Sequence, residues 1–248
     1  MTPVLQTTCL SKSFGSVVAA HDLNVTVSRG ERIGLIGTNG AGKTTFVNMV
    51  TGYVRPDSGR IILEGGDITG RSPRLIARSG VCRSFQVPQL FLTLTPRDNL
   101  IAAIGIANGA AFSPTARSDT PGVRHALDEL LDRFRLQEFR DRLCSELPSG
   151  VRKLLDIAVA VTRAPKLLLL DEPTSGVATG QKFPLMDIVM DALGDDVTVL
   201  FVEHDMDIVS RYARRVLAFY EGQIIADGVP AHVLTDARVR NHVTGAIC

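Results

Sequence analysis

The sequence predicts an α/β fold: a parallel sheet preceded by an antiparallel β-subdomain and interrupted by an inserted α-helical lobe. Three observations predict it. Residues 1–30 alternate apolar and polar positions, as in Leu23-Asn24-Val25-Thr26-Val27, the pattern of a half-exposed antiparallel sheet. Lys166–Leu170 and Val197–Val202 are apolar runs of the kind expected for parallel strands covered on both faces. Ahead of them, from Pro96 to about Leu147, the composition shifts to helical spacing.

Taken in order, Arg32-Ile33-Gly34-Leu35-Ile36 is a short apolar strand running into a glycine-rich loop, and a helix should follow from about Gly42 to Val50. Pro56-Asp57-Ser58-Gly59 reads as a turn, and Arg60 to Gly66 as a strand leading to another turn. Within the helical stretch, a loop rich in Ser, Thr, Pro and Gly is expected around Ala111–Gly122. After it, Val123, Leu127, Leu130, Leu131 and Phe134 recur at helical spacing as one apolar packing stripe. Val216–Tyr220 and Gln223–Ala226 read as a terminal hairpin turning at Glu221-Gly222. The expected organisation is one domain over residues 1–248, with a helical subdomain at about 96–160 inside it. No internal repeat or low-complexity tract is present.

The chain has 27 Lys+Arg against 26 Asp+Glu over 248 residues, so net charge gives no electrostatic case for nucleic acid or an anionic membrane as main partner. A hydrophobic fraction of 45% is ample for a core without disulfide or metal staples. Cys9, Cys82, Cys144 and Cys248 match no metal-ligand spacing and read as reduced thiols of a cytosolic protein. The N-terminus lacks the basic start and apolar stretch of a secretion signal. No apolar run reaches the roughly 18–20 residues that cross a bilayer. The longest oily region, Leu154 to Leu170, is broken by Asp156, Thr162, Arg163, Pro165 and Lys166. A soluble protein is expected, reaching a membrane only through a partner.

Gly37-Thr38-Asn39-Gly40-Ala41-Gly42-Lys43-Thr44 matches G-x-x-x-x-G-K-[ST] between an expected strand and an expected helix. Glycines let backbone N–H groups wrap a phosphate without Cβ obstruction, and the helix directs its positive end at the anion. Lys43 adds a cation for the β- and γ-phosphates, the Thr44 hydroxyl ligates Mg²⁺, and Thr45 can add a phosphate contact. A nucleoside triphosphate is the expected ligand.

Leu167-Leu168-Leu169-Leu170-Asp171-Glu172 places two carboxylates at the carboxyl end of a buried strand, where doubly wound sheets hold ligands. Asp171 is placed to organise the Mg²⁺ shell, directly or through water. Glu172 can polarise the attacking water as a general base.

Four further segments make the sequence resemble the ABC ATPases over Leu5 to Gly245. Arg83-Ser84-Phe85-Gln86 resembles the glutamine loop, in which Gln86 would reach Mg²⁺ and the attacking water. Leu147-Pro148-Ser149-Gly150-Val151, followed by Arg152 to Ala158, occupies the place of the signature motif. Val202-Glu203-His204-Asp205-Met206 resembles the switch-histidine segment; a neutral imidazole at His204 can bond the γ-phosphate and hold the water. Phe14, in Lys12-Ser13-Phe14-Gly15, matches the aromatic that stacks on adenine. The resemblance implies a P-loop NTPase fold with a RecA-like core. It also implies ATP and Mg²⁺ as ligands, a second ATPase subunit (the same chain or another), integral membrane permeases and, indirectly, a periplasmic or extracellular solute-binding protein. The chain would sit on the cytoplasmic face of the cell membrane, peripheral, through the permease.

Within the family, Arg83-Ser84-Phe85-Gln86 then Leu90-Phe91, and the tail Ile225-Ala226-Asp227-Gly228-Val229-Pro230, resemble the Liv-type importer subunits for branched-chain amino acids. The long insert resembles the larger of their two ATPases; importers of urea, amides and other amino acids share these features. An ABC exporter, a repair or translation ATPase, and a GTPase or small-molecule kinase are the competing classes. The repair and translation type lacks its usual second ATPase unit or coiled-coil insert here, and the GTPase lacks an Asn-Lys-x-Asp motif. The sequence departs from the family where the usual signature serine is Pro148, the usual glutamine is Val151, and the following loop has Ala178 for the usual aspartate. Pro148 supplies neither hydroxyl nor N–H, while Ser149 and Gly150 keep a helix start with its amides. These departures leave two readings: an asymmetric ATPase pair, or drift in these loops that is tolerated with full activity. In the first, the site completed by this chain's signature would be the weakened one, and the phosphate loop of that site would belong to the partner.

Overall fold

The computed structural model describes residues 3–109 and 120–245. In chain order the elements begin with β1 (Leu5–Phe14), β2 (Val17–Val27), β3 (Arg32–Gly37), α1 (Lys43–Val50), β4 (Ser58–Leu63) and β5 (Gly66–Asp67). Next come α2 (Pro73–Arg78), β6 (Val81–Ser84), α3 (Pro96–Ala107), α4 (Pro121–Arg133) and α5 (Ser149–Val161). The chain continues through β7 (Leu167–Asp171), α6 (Lys182–Leu193), β8 (Thr198–Val202), α7 (Met206–Tyr212), β9 (Arg215–Tyr220) and β10 (Gln223–Gly228). Two short helices, α8 (Pro230–Val233) and α9 (Ala237–Val239), follow. The chain divides into two compact units. One comprises Met1–Cys82, Lys166–Glu172 and Asp195–Cys248, the other Arg83–Pro165 and Pro173–Gly194.

In the first unit the alternating N-terminal segment forms an antiparallel sheet in the order β2-β1-β4-β5, as its periodicity predicts. The Pro56–Gly59 turn is a correction: Ser58 and Gly59 already belong to β4, because Ser58 pairs with Ser11 across a bulge in β1. Gly59 has φ +89°, and a Cβ there would meet the Cys9 carbonyl at 2.5 Å. The glycine that suggested a turn is needed for close strand approach instead.

The second sheet runs β10-β9-β3-β8-β7-β6, with β3, β7, β8 and β9 parallel neighbours and β10 returning antiparallel from β9. β7 and β8 are buried along their apolar lengths, as continuous apolar runs require. Each fully buried leucine of β7 contributes about 2 kcal/mol relative to exposure. The register decides where the chemistry sits. Leu35 of β3 and Asp171 of β7 both pair with Val202 of β8. The loop after β3, the residue after β7 and the segment after β8 therefore leave the sheet at one edge, its carboxyl end. Phe46, Val47, Met49 and Val50 bury the inner face of α1 in the same core.

The second unit is mainly helical. Thr95 caps α3 by accepting from the Asp98 amide, and Pro96 opens it at a position where no N–H is needed. α4 repeats the device with Thr120 and Pro121. The loop expected around Ala111–Gly122 therefore ends earlier than its composition suggests, and its residues 111–119 lie outside those described. Leu127, Leu130, Leu131 and Phe134 are buried as the stripe on α4 predicts, while Val123 is only half-buried. Cys9 is exposed and Cys82 and Cys144 are buried, all three as free thiols; Cys248 lies outside the described residues.

Candidate active site

The loop between β3 and α1 is shaped by glycines where side chains cannot fit. At Gly42, φ is +106° and a Cβ would stand 2.5 Å from the Ala19 carbonyl; at Gly37 it would meet the Phe219 carbonyl at 2.5 Å. Gly42 caps α1 without a side chain, so the first amides of the helix, those of Lys43, Thr44 and Thr45, have no intrahelical acceptor. The Lys43 ammonium donates to the carbonyls of Gly37 at 2.6 Å and Thr38 at 2.9 Å. The side chain is 5% exposed, and burial lowers its pKa, opposed by the carboxylates of Glu172 and Asp171. A cation held in so little water gains most from an anion placed beside it.

Opposite the loop, Glu172 follows β7 with φ +47°, a left-handed conformation that costs a non-glycine residue about 1 kcal/mol or more. Its amide donates to the Val202 carbonyl at 3.0 Å, which holds the turn in place. His204 follows β8, and its Nε2 lies 3.1 Å from Glu172 Oε1. Asn39 to Thr45, Glu172, Val202 and His204 together line an open pocket of about 110 Å³. An arc of amides and a lysine thus faces a carboxylate paired with an imidazole, which suits an anionic ligand attacked by water.

The structure therefore brings together Asn39, Gly40, Ala41, Gly42, Lys43, Thr44, Thr45, Glu172 and His204, with Gly37 and Thr38 holding the lysine. Asp171, the last residue of β7, is level with Val202. Phe14 is 51% exposed at the end of β1 and lies outside the pocket lining; Lys12 stands over its ring at 5.4 Å. Gln86, Ser149 and Gly150 belong to the second unit. There Gln86 is exposed between β6 and α3, and Ser149 opens α5, its hydroxyl donating to the Gly176 carbonyl at 2.8 Å.

The sequence reading gave no role to three buried charges. Glu203 is 3% exposed and accepts from the His204 amide at 3.1 Å. Lys153 and Asp156 are buried on α5 and bond to the segment that carries Gln86. Asp156 had a signal: it is an acid set among Leu154, Leu155, Ile157 and Ala158, where only a partnered carboxylate is tolerated.

Residues 20–175 match the ABC transporter family. A relative in Archaeoglobus fulgidus, described as a probable branched-chain amino acid transport ATP-binding protein LivG, is 34% identical over 98% of this chain and 96% of its own length. A Haemophilus influenzae protein, the lipopolysaccharide export system ATP-binding protein LptB, is also 34% identical, over 95% of each chain. The crystal structure of the ADP conformation of an ATP-binding cassette of an ABC transporter matches with a TM-score of 0.85 and 31% identity, covering 97% of this chain and 98% of the other.

Proposed function

From the premise that this chain belongs to the ABC transporter family and hydrolyses ATP to drive transport, we propose that it energises an importer of branched-chain or related amino acids. The observation that carries the ATPase chemistry is the pocket in which the Lys43 loop faces the Glu172–His204 pair. In this reading the loop amides and Lys43 hold the β- and γ-phosphates, and Thr45 adds a contact. Glu172 polarises the attacking water, His204 bonds the γ-phosphate, and Phe14 stacks on the adenine. Ser149 and Gly150 present the start of α5 to the nucleotide of a second ATPase subunit, identical or different.

The donors fit Mg²⁺. Thr44, Asp171 and Gln86 offer hard oxygen atoms, and among the described residues no cluster of three His, Cys, Asp or Glu could hold a metal by itself. Those oxygens would hold the ion, which would supply positive charge against the charge developing on the phosphates.

Among the described residues no helix is long and apolar enough to cross a membrane. In this reading, which rests on the family's transport role, the chain sits on the cytoplasmic face, docked on permease subunits that receive solute from an external binding protein. Val87, Phe91 and Leu92, exposed in the segment after Gln86, support a protein partner on the second unit. γ-Phosphate favours the closed pair of ATPase subunits and its loss reopens them, which moves the permease between two arrangements.

Import of amino acids is supported by the full-length likeness to the LivG protein; the equal identity to LptB favours export as the second reading. Purifying the full chain from membranes with its bound subunits, then measuring ATP-driven leucine uptake in proteoliposomes with the binding protein, separates them. Stimulated uptake supports import. Copurification with lipopolysaccharide-export subunits and no uptake overturns it.

A further inference from the structure

We propose that Lys153 and Asp156 are positioning residues for Gln86, which grip the backbone on both sides of it from one face of α5. The proposal rests on the reading above that Gln86 serves ATP hydrolysis.

The two side chains are three residues apart, so they project from the same face of the helix. Both are buried, at 3% and 5% exposure. Asp156 takes donors: Oδ2 accepts from Ser84 Oγ at 2.6 Å and the Phe85 amide at 3.2 Å, and Oδ1 accepts from the Gln89 amide at 2.8 Å. Lys153 takes acceptors: its ammonium donates to the Phe85 carbonyl at 3.4 Å and to the Gln86 carbonyl. These bonds fix the backbone before and after Gln86, while the Gln86 side chain is left exposed. Burial pushes the Asp156 carboxyl up, and the donors from Ser84, Gln89 and Phe85 together with the Lys153 charge pull it back.

Burying two charges is a poor way to gain stability, because apolar side chains of similar volume do as well or better. The neighbours Leu155, Ile157 and Ala158 show that this helix buries apolar side chains readily. What the charges add is directional: a carboxylate and an ammonium specify where amides and carbonyls must lie, which leucine cannot do. The same helix is tied at its first residue, through Ser149 Oγ, to the Gly176 carbonyl. Within the second unit, α5 and the Gln86 segment are thereby fastened as one body.

The test uses the full chain assembled with the subunits that copurify with it. Asp156→Asn and Lys153→Met should each lower kcat for ATP hydrolysis about tenfold while KM for ATP stays within about threefold, and Lys153→Arg should retain most of the rate. Ser84→Ala, which removes one donor, is the milder companion should the charge variants misfold, with a loss of about threefold. In a Gln86→Ala background, Asp156→Asn should cost almost nothing further, since both act on one group. Additive losses in the double variant, or Lys153→Arg no better than Lys153→Met, would overturn the proposal. Hydrogen exchange gives an independent readout: the amides of Phe85 and Gln89 should exchange at least about tenfold faster in Asp156→Asn. Unchanged exchange there overturns the grip whatever the kinetics. A normal rate for Gln86→Ala sinks instead the role given to Gln86, and the exchange result still decides whether the backbone is held.

Discussion

Two helix starts in this chain each carry a glycine, Gly42 at the cap of α1 and Gly150 in the first turn of α5, yet they are equipped differently. α1 opens with Gly42 in a left-handed conformation, followed by a lysine and two threonines. α5 opens after Pro148, which has no N–H, and the hydroxyl of Ser149 is bonded to the Gly176 carbonyl. The first offers amides, a cation and hydroxyls to a phosphate; the second offers mainly amides. In the proposed reading, where each site is shared between two subunits, this chain brings the phosphate loop and the Glu172–His204 pair to one site and only a reduced helix start to the other.

The comparison breaks most directly at the catalytic carboxylate. Glu172→Gln should lower ATP turnover at this chain's own pocket by about a hundredfold to ten-thousandfold with ATP binding retained, as single-turnover kinetics would show. If the pair is asymmetric, the equivalent change in a different ATPase partner should reduce transport less; equal losses from both would erase the asymmetry. His204→Ala removes one γ-phosphate donor, and a loss in kcat of about a hundredfold is expected in the same assay. Pro148→Ser sharpens the contrast from the other side. Restoring an N–H and a hydroxyl at the start of α5 should raise hydrolysis at the partner's pocket several-fold, and an unchanged rate would mean the proline is tolerated. The smallest effect belongs to the half-exposed Phe14: Phe14→Ala should raise KM for ATP about fivefold, with kcat nearly constant.

The first unit was the more legible in sequence, for physical reasons. β7 and β8 announce themselves because a strand covered on both faces must be apolar throughout, and the loop because only glycine fits at Gly37 and Gly42. Order along the chain was enough to bring Glu172 and His204 into one pocket, since β7 and β8 are neighbours in register. The second unit hid its main polar feature. Asp156 and Lys153 lie about 70 residues from the backbone they hold, and nothing local in the helix names that partner. Ser58 and Gly59 were misread as a turn for the same reason: their partner, Ser11 in β1, is remote. The helix start at Pro121 was missed because Thr120 and Pro121 fit a loop as well as a cap.

The account stands on the Lys43 loop as the place where triphosphate is held. Equilibrium titration of Mg·ATP against the full chain with its copurifying subunits, wild type beside Lys43→Ala, tests it most directly. Loss of a charge-assisted contact to phosphate should weaken binding by about tenfold to a hundredfold. Equal affinity in the two proteins would contradict the account.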